Sequence, residues 1–530
     1  MGTYGKPVFG VVKEANPIVT TTHGKVLGEI RDGVAIFRGI PYGGDCDGDR
    51  RFLPPVPAEN WEGVRDCTKN GFYAVQLGTS ISGSEGLGPY FSGGKPELFG
   101  VAEEKQGENC LVLNVVTPGI DDKRHPVLVY IHGGGFATGS GTLVLGADPL
   151  AREEGIVIVG INHRLNAFGY LYLGAFDRKY AESGMAGMLD LVLALEWVRD
   201  NITAFGGDPE RITIMGESGG GMKVSTLLAM KRAKGLFHRA IVESGSHVVG
   251  RTSMEEATEI AKEFLDKLGI GLHELDKLVR IPAQDILEAT KGGSPMGMAM
   301  KFSPVADGIN LDYNPLNEFT VPEVSSDIPL MVGSSEDEMA VFTPPSVFEM
   351  GWDDLRDALL NYSGDFLGLA AGSIFTEENV DRVIQVFKDT DRKNNSADHL
   401  YLKIISLSSF LGGGAFYQAQ AKAKQGTAPV YHYLVSYDAP HPMVEGRRFA
   451  WHTADLPLQM RIVLCPESEK ISRIMAHAWA AFIRTGDPST EDFAWPEFTL
   501  ENRKVMVFDD VCRVETDPLR EIREVLESLR

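Results

Sequence analysis

Ile212-Thr213-Ile214-Met215-Gly216-Glu217-Ser218-Gly219-Gly220-Gly221 is an apolar β-run that breaks into glycines with one serine at the break. A strand that turns sharply into a helix holds its turn residue in a strained conformation, and only very small neighbours two before and two after let the backbones pass. Gly216 and Gly220 stand at those places, which makes Ser218 a candidate nucleophile. The pattern predicts a helix from Gly219 through Leu228 to about Met230, whose free N–H groups and positive dipole end would face an oxyanion formed at Ser218. In a chain with 59 glycines the five-residue pattern carries little weight alone, and a glycine-rich turn with an idle serine is the competing reading.

Outward from this stretch, apolar runs alternate with amphipathic ones. Strands are expected at 111–116, 127–131, 156–161, 212–215, 240–243, 329–332, 430–435 and 505–508, and helices at 190–201, 254–268, 283–291, 353–360 and 468–485. That order predicts an α/β domain with a mainly parallel, mixed sheet and helices on both faces, running from 15 to 530 after an N-terminal extension over 1–14. Residues 18–42 read as a β-meander with turns at His23-Gly24 and Asp32-Gly33, ended by Gly39-Ile40-Pro41-Tyr42. Residues 76–108 are rich in Gly and Ser without period and read as a flap over a site, with a plain surface excursion as the alternative. Met296, Met298 and Met300 suit either an adaptable apolar pocket or ordinary core filling. The last segment, 518–530, reads as a charged amphipathic helix packed on the surface.

A length of 530 residues with 43% hydrophobic composition supports a large core. The formal charge of −22, from 51 basic and 73 acidic residues, argues against nucleic acid and anionic membranes as partners. No signal pattern opens the chain and no apolar run approaches the roughly 18 residues of a spanning helix, so a cytoplasmic protein is expected. Five cysteines without paired spacing fit a reducing compartment and suggest no metal site.

A serine nucleophile needs a base, an acid to orient the base, and donors for the oxyanion. The run Val127–Ile131 leads into His132-Gly133-Gly134-Gly135-Phe136, where bare backbone N–H groups can face a ligand. Gly134 and Gly135, with Gly219 from the elbow, form a candidate oxyanion hole, and His132 reads as a loop-fixing residue. The acid belongs in a loop past a later strand, where Glu336, Asp337 and Glu338 stand together and are indistinguishable by pattern. For the base, His432, His441, His452 and His477 all satisfy the Ser, acid, His order.

At this point the chain resembles a type-B carboxylesterase, the family of cholinesterases, fungal lipases and microbial esterases. The matching motifs run nearly end to end. They include Phe37-Arg38-Gly39-Ile40-Pro41-Tyr42, Glu108-Asn109-Cys110-Leu111, the His132–Phe136 loop, Asn162-His163-Arg164, Phe205-Gly206-Gly207-Asp208-Pro209, Gly216–Gly220, Asp337-Glu338, His452 with Asp455-Leu456-Pro457, and Gly486-Asp487-Pro488. The resemblance implies the α/β-hydrolase fold, with loop and helical excursions that form a gorge. It also implies Ser218 as nucleophile, Glu338 as acid and His452 as base, with Ser244 near the acid–histidine pair and Glu217 a buried, hydrogen-bonded acid beside the nucleophile. The family commonly closes its flap with a disulfide from the Cys110 position, but Ala74 and Val75 stand where the partner would be, so an open flap is implied. The flap has Tyr90 and Phe91 and no tryptophan, so the choline-trapping ring of cholinesterases is not evident.

The expected activity is hydrolysis of a small to medium apolar carboxylic ester through an acyl-enzyme, with no cofactor or metal. The same machinery on an amide, carbamate or lactone is the second reading, and a catalytically silent interaction module the third.

Overall fold

Alternating burial builds the centre of the molecule. In the strand His125–Ile131, Val127, Val129 and Ile131 enter one core while Leu128 and Tyr130 enter another. A strand covered on both faces is what a parallel sheet requires. The computed structural model describes residues 16–78, 105–291, 301–314, 319, 322–362, 374–391, 393, 396–444 and 446–529. The expected N-terminal extension, all but the ends of the expected flap, and the Met296–Met300 run lie outside the described residues.

The main sheet has eleven strands. Along the chain they are β1 (Glu29–Arg31), β2 (Val34–Pro41), β3 (Val112–Thr117), β4 (His125–Ile131), β5 (Val157–Ile161), β6 (Gly207–Glu217), β7 (Arg239–Glu243), β8 (Leu330–Ser335), β9 (Val430–Val435), β10 (Lys504–Phe508) and β11 (Arg513–Thr516). Their spatial order is β11-β10-β9-β8-β7-β6-β4-β5-β3-β2-β1. Pairing is parallel from β5 across β4 and β6 to β10, and antiparallel at both edges.

Parallel neighbours need crossovers, and these supply the helices on the two faces. Those that bear on the site are α1 (Ala186–Asn201), α2 (Gly219–Ala229), α3 (Ala397–Ser408), α4 (Phe410–Gln425), α5 (Glu469–Thr485) and α6 (Arg520–Glu527). Met188 and Leu195 of α1 and Val224 of α2 join the core on one face, while Met475, Trp479 and Phe482 of α5 join the core on the other. A third core gathers α3 and α6 around Met339, Val341 and Trp451. The terminal helix lies where its pattern placed it, with Ile522, Val525 and Leu526 buried.

The N-terminal meander is corrected. Ile18–Thr20 and Lys25–Leu27 pair in a separate small sheet with Val64–Asp66, whereas β1 and β2 belong to the main sheet. The chain changes sheets at Gly28, where a Cβ would stand 2.7 Å from both Ile36 O and the Phe37 ring. Period-2 patterning identifies strands but not which neighbour each one takes.

Candidate active site

The candidate side chains gather beyond the C-terminal ends of β4, β6 and β8, the edge where open α/β sheets bind ligands. At the end of β6, Ser218 adopts φ 56° and ψ −125° while its N–H donates to Glu243 O at 2.8 Å. That left-handed conformation is costly for a residue with a Cβ and turns the side chain out of the strand-to-helix corner. A Cβ on Gly216 would lie 2.3 Å from the carbonyl carbon of Gly220, so the two glycines do separate the crossing backbones. α2 starts at Gly219, as its sequence predicts.

The glycine loop lies against this corner. A Cβ on Gly219 would come within 2.3 Å of Gly135 N, which puts the two backbones side by side. Gly134 and Gly135 have φ 81° and 61°. His132 is buried, its Nδ1 lies 3.0 Å from Gly133 O, and its ring stacks on His163 with centroids 4.6 Å apart. Burial, aided by Lys223, pushes His132 down to about 3, so it stays neutral and fixes the loop.

The three adjacent carboxylates separate by partner. Glu336 pairs with Lys403 at 2.7 Å and Lys393 at 3.6 Å. Asp337 accepts from Ala450 N at 3.2 Å and forms a parallel bridge with Trp451. That bridge delivers the next residue of each segment, Glu338 and His452, side by side. Glu338 Oε2 contacts His452 Nδ1, while Oε1 accepts from Ser244 Oγ at 2.6 Å and from Ser335 N at 2.7 Å. Among the other histidines, His432 is buried within β9 with Nδ1 3.0 Å from Val332 O, and His477 lies 3.2 Å from Glu154; the side chain of His441 is outside the described residues.

Glu217 is buried beside the nucleophile, and its Oε1 has no hydrogen-bond partner among the described residues. That oxygen lies 3.4 Å from His452 Nε2, and Ser218 Oγ forms no hydrogen bond with a described residue. Catalytic hydrogen bonds are often long until substrate binds. Glu217 belongs to a group of buried acids with Glu243 and Asp455, of which the family resemblance singled out only Glu217. Burial and then Asp455 push Glu217 and Glu243 well up, and burial and then Glu338 push Asp455 up to about 7. Trp479 Nε1 donates to Glu243 at 2.7 Å and Gln459 Nε2 to Asp455 at 3.0 Å.

Chemically, this arrangement offers a strained hydroxyl at a helix N-terminus, an imidazole oriented by a carboxylate, and bare glycine backbone alongside. It suits acyl transfer. Among the described residues no group of His, Cys, Asp and Glu could hold a metal ion, all five cysteines are free, and no helix is long and apolar enough to cross a membrane.

A sequence model of the Carboxylesterase family matches residues 15–521. The chain is 34% identical to the para-nitrobenzyl esterase of Bacillus subtilis, over 96% of this chain and 98% of that one. It is 30% identical to the phenmedipham hydrolase of Pseudarthrobacter oxydans, over 93% and 95%. A crystal structure of a carboxylesterase from Geobacillus stearothermophilus superposes with a TM-score of 0.78 at 33% identity, covering 96% of this chain and 99% of that one.

Proposed function

This chain belongs to the carboxylesterase family and is a carboxylic ester hydrolase with the α/β-hydrolase fold, and from that premise we propose that Ser218, His452 and Glu338 form its catalytic triad. The observation that carries the reading is the contact of Glu338 Oε2 with His452 Nδ1, beside a serine in a left-handed turn. That contact fixes the tautomer whose Nε2 is free to accept a proton.

His452 Nε2 takes the proton of Ser218 Oγ as the oxygen adds to the ester carbonyl. The oxyanion then accepts from the N–H groups of Gly134, Gly135 and Gly219, which need no reorganisation to receive it. Collapse breaks the C–O bond, His452 hands its proton to the departing alkoxide, and the acyl group stays on Ser218. Water repeats the cycle with the same base and releases the acid. Ser244 and Ser335 hold Glu338 for the histidine, and neighbouring Glu217 completes the apron of the site.

The substrate class proposed is a small to medium apolar ester, supported by the para-nitrobenzyl ester named for one relative. A panel of para-nitrobenzyl and para-nitrophenyl esters of increasing acyl length, with phenmedipham alongside, separates ester preference from the other acyl bonds the same machinery can open. The deciding experiment is intact-mass labelling with an organophosphonate on wild type and Ser218→Ala. One adduct on the wild type, none on the variant, and turnover reduced by roughly four or more orders of magnitude in the variant are expected. Substantial activity in the folded variant would sink the assignment.

A further inference from the structure

Five residues past Ser218, α2 carries Lys223, whose side chain is entirely buried. Its Nζ donates to Gly135 O at 2.6 Å and to His132 O at 3.1 Å, and stands 5.3 Å from the centre of the Phe136 ring. These two carbonyls bracket the glycine loop that supplies the proposed oxyanion donors, so a single amine ties both ends of that loop to the helix that follows the nucleophile.

A buried cation is normally paired, because an uncompensated charge in a low dielectric is expensive. Lys223 forms no ion pair with a described carboxylate, and its close partners among the described residues are neutral carbonyls and an aromatic face. The anion that this corner does receive is transient: the tetrahedral oxyanion held at Gly134, Gly135 and Gly219. We propose that Lys223 is a positioning residue for ester hydrolysis, its ammonium locking the His132–Gly135 loop and backing the oxyanion hole with a charge whose counter-ion is the tetrahedral intermediate. The inference rests on the reading of Ser218 as nucleophile with those glycine donors.

Burial pushes the Lys223 amine down to about 7. A neutral amine still has two N–H groups for the two carbonyls, so losing the proton removes the charge and leaves the tether. The groups packed against it do not titrate in its place, and Asp455, pushed up to about 7 beside Glu338 and His452, is present in wild type and variants alike. His132 is pushed down to about 3 by burial and then by Lys223, and burial holds His163 well below its ordinary value. Arg164, behind His163, is paired with Asp190 at 2.6 Å. On the strands beneath α2, burial holds Glu217 and Glu243 towards their neutral forms. Oxyanion stabilisation therefore weakens as pH rises through the Lys223 titration, giving an alkaline limb in kcat/KM.

The test compares wild type with Lys223→Met, using a para-nitrophenyl ester through neutral pH and a trifluoromethyl ketone whose hemiketal carries the oxyanion, with phosphonate labelling to count active sites. Lys223→Met is expected to label at Ser218, to keep KM within about twofold, and to lose about tenfold to a hundredfold in kcat, less than deletion of a direct oxyanion donor costs. Its alkaline limb disappears, and so does the pH dependence of ketone affinity. Wild-type kcat in the labelled variant, or an unchanged limb, overturns the role of Lys223 alone. Absence of an adduct on the wild type overturns the Ser218 reading and this one with it. Should Lys223→Met fail to fold, Lys223→Arg keeps the charge at all working pH; loss of its alkaline limb supports the proposal, and a retained limb overturns it.

Discussion

Asp455 shows how single residues set the character of this site. Burial, with Glu338 nearby, pushes its carboxyl up to about 7, so the folded protein holds a proton there that the unfolded chain would release near its ordinary value of 3.8. For an acid raised in this way the folded state binds more protons, and stability falls as pH climbs from about 4 through about 7. Asp455→Asn removes that dependence while keeping the shape and the contact with Gln459. Thermal melts should show the wild type losing stability relative to the variant between mildly acidic and mildly alkaline pH, by on the order of a few kcal/mol. Parallel pH profiles would count against the burial argument. At this scale the sequence pattern was informative wherever the backbone itself carried the signal. Gly216, Ser218 and Gly220 were readable because the turn tolerates little else, whereas nothing in pattern alone separates Glu338 from Glu336 and Asp337. Their difference lies in which partner each meets: a lysine pair, a backbone amide, or an imidazole.

Among the elements, α3 braces the acid loop. Its Lys403 pairs with Glu336 at 2.7 Å and Asp391 at 3.4 Å in a buried setting, and its Ser406 Oγ accepts from Met339 N at 2.9 Å. Lys403→Met strands two buried carboxylates, of which only Glu336 keeps a second cation in Lys393, and breaking such a pair costs about 3–5 kcal/mol. Urea denaturation is expected to show a loss towards the lower end of that range, with a fall in kcat as the Asp337–Trp451 bridge loosens. A loss below about 0.5 kcal/mol would mean that α3 does not hold the loop. Neither α3 nor α4 was foreseen from the sequence. α4 contains Gly412, Gly413 and Gly414, which lower helix propensity, yet a Cβ on Gly412 would stand 2.5 Å from Ser406 O and one on Gly414 2.6 Å from Ser246 O. Close packing made those positions glycine, and tertiary contact outweighed local preference.

For the whole molecule, a formal charge of −22 and a pI near 5.0 give a net negative field. An ester carrying a carboxylate on its alcohol should be a poorer substrate than its neutral analogue, and its kcat/KM should rise with ionic strength as screening takes hold. Equal salt dependence of the two esters would show that the field does not reach the site. The sequence by itself determined the alternation of strands and helices, the elbow at Ser218 and the glycine loop, because each depends on local periodicity or on backbone conformations few residues can adopt. Tertiary structure alone decided the rest. It sent 18–20 and 25–27 to a separate sheet, brought Glu338 to His452 across a bridge between distant segments, and buried Lys223 beneath the glycine loop. Those outcomes depend on which groups meet after the chain has closed, and on the dielectric they then share, neither of which is encoded in the spacing of residues along it.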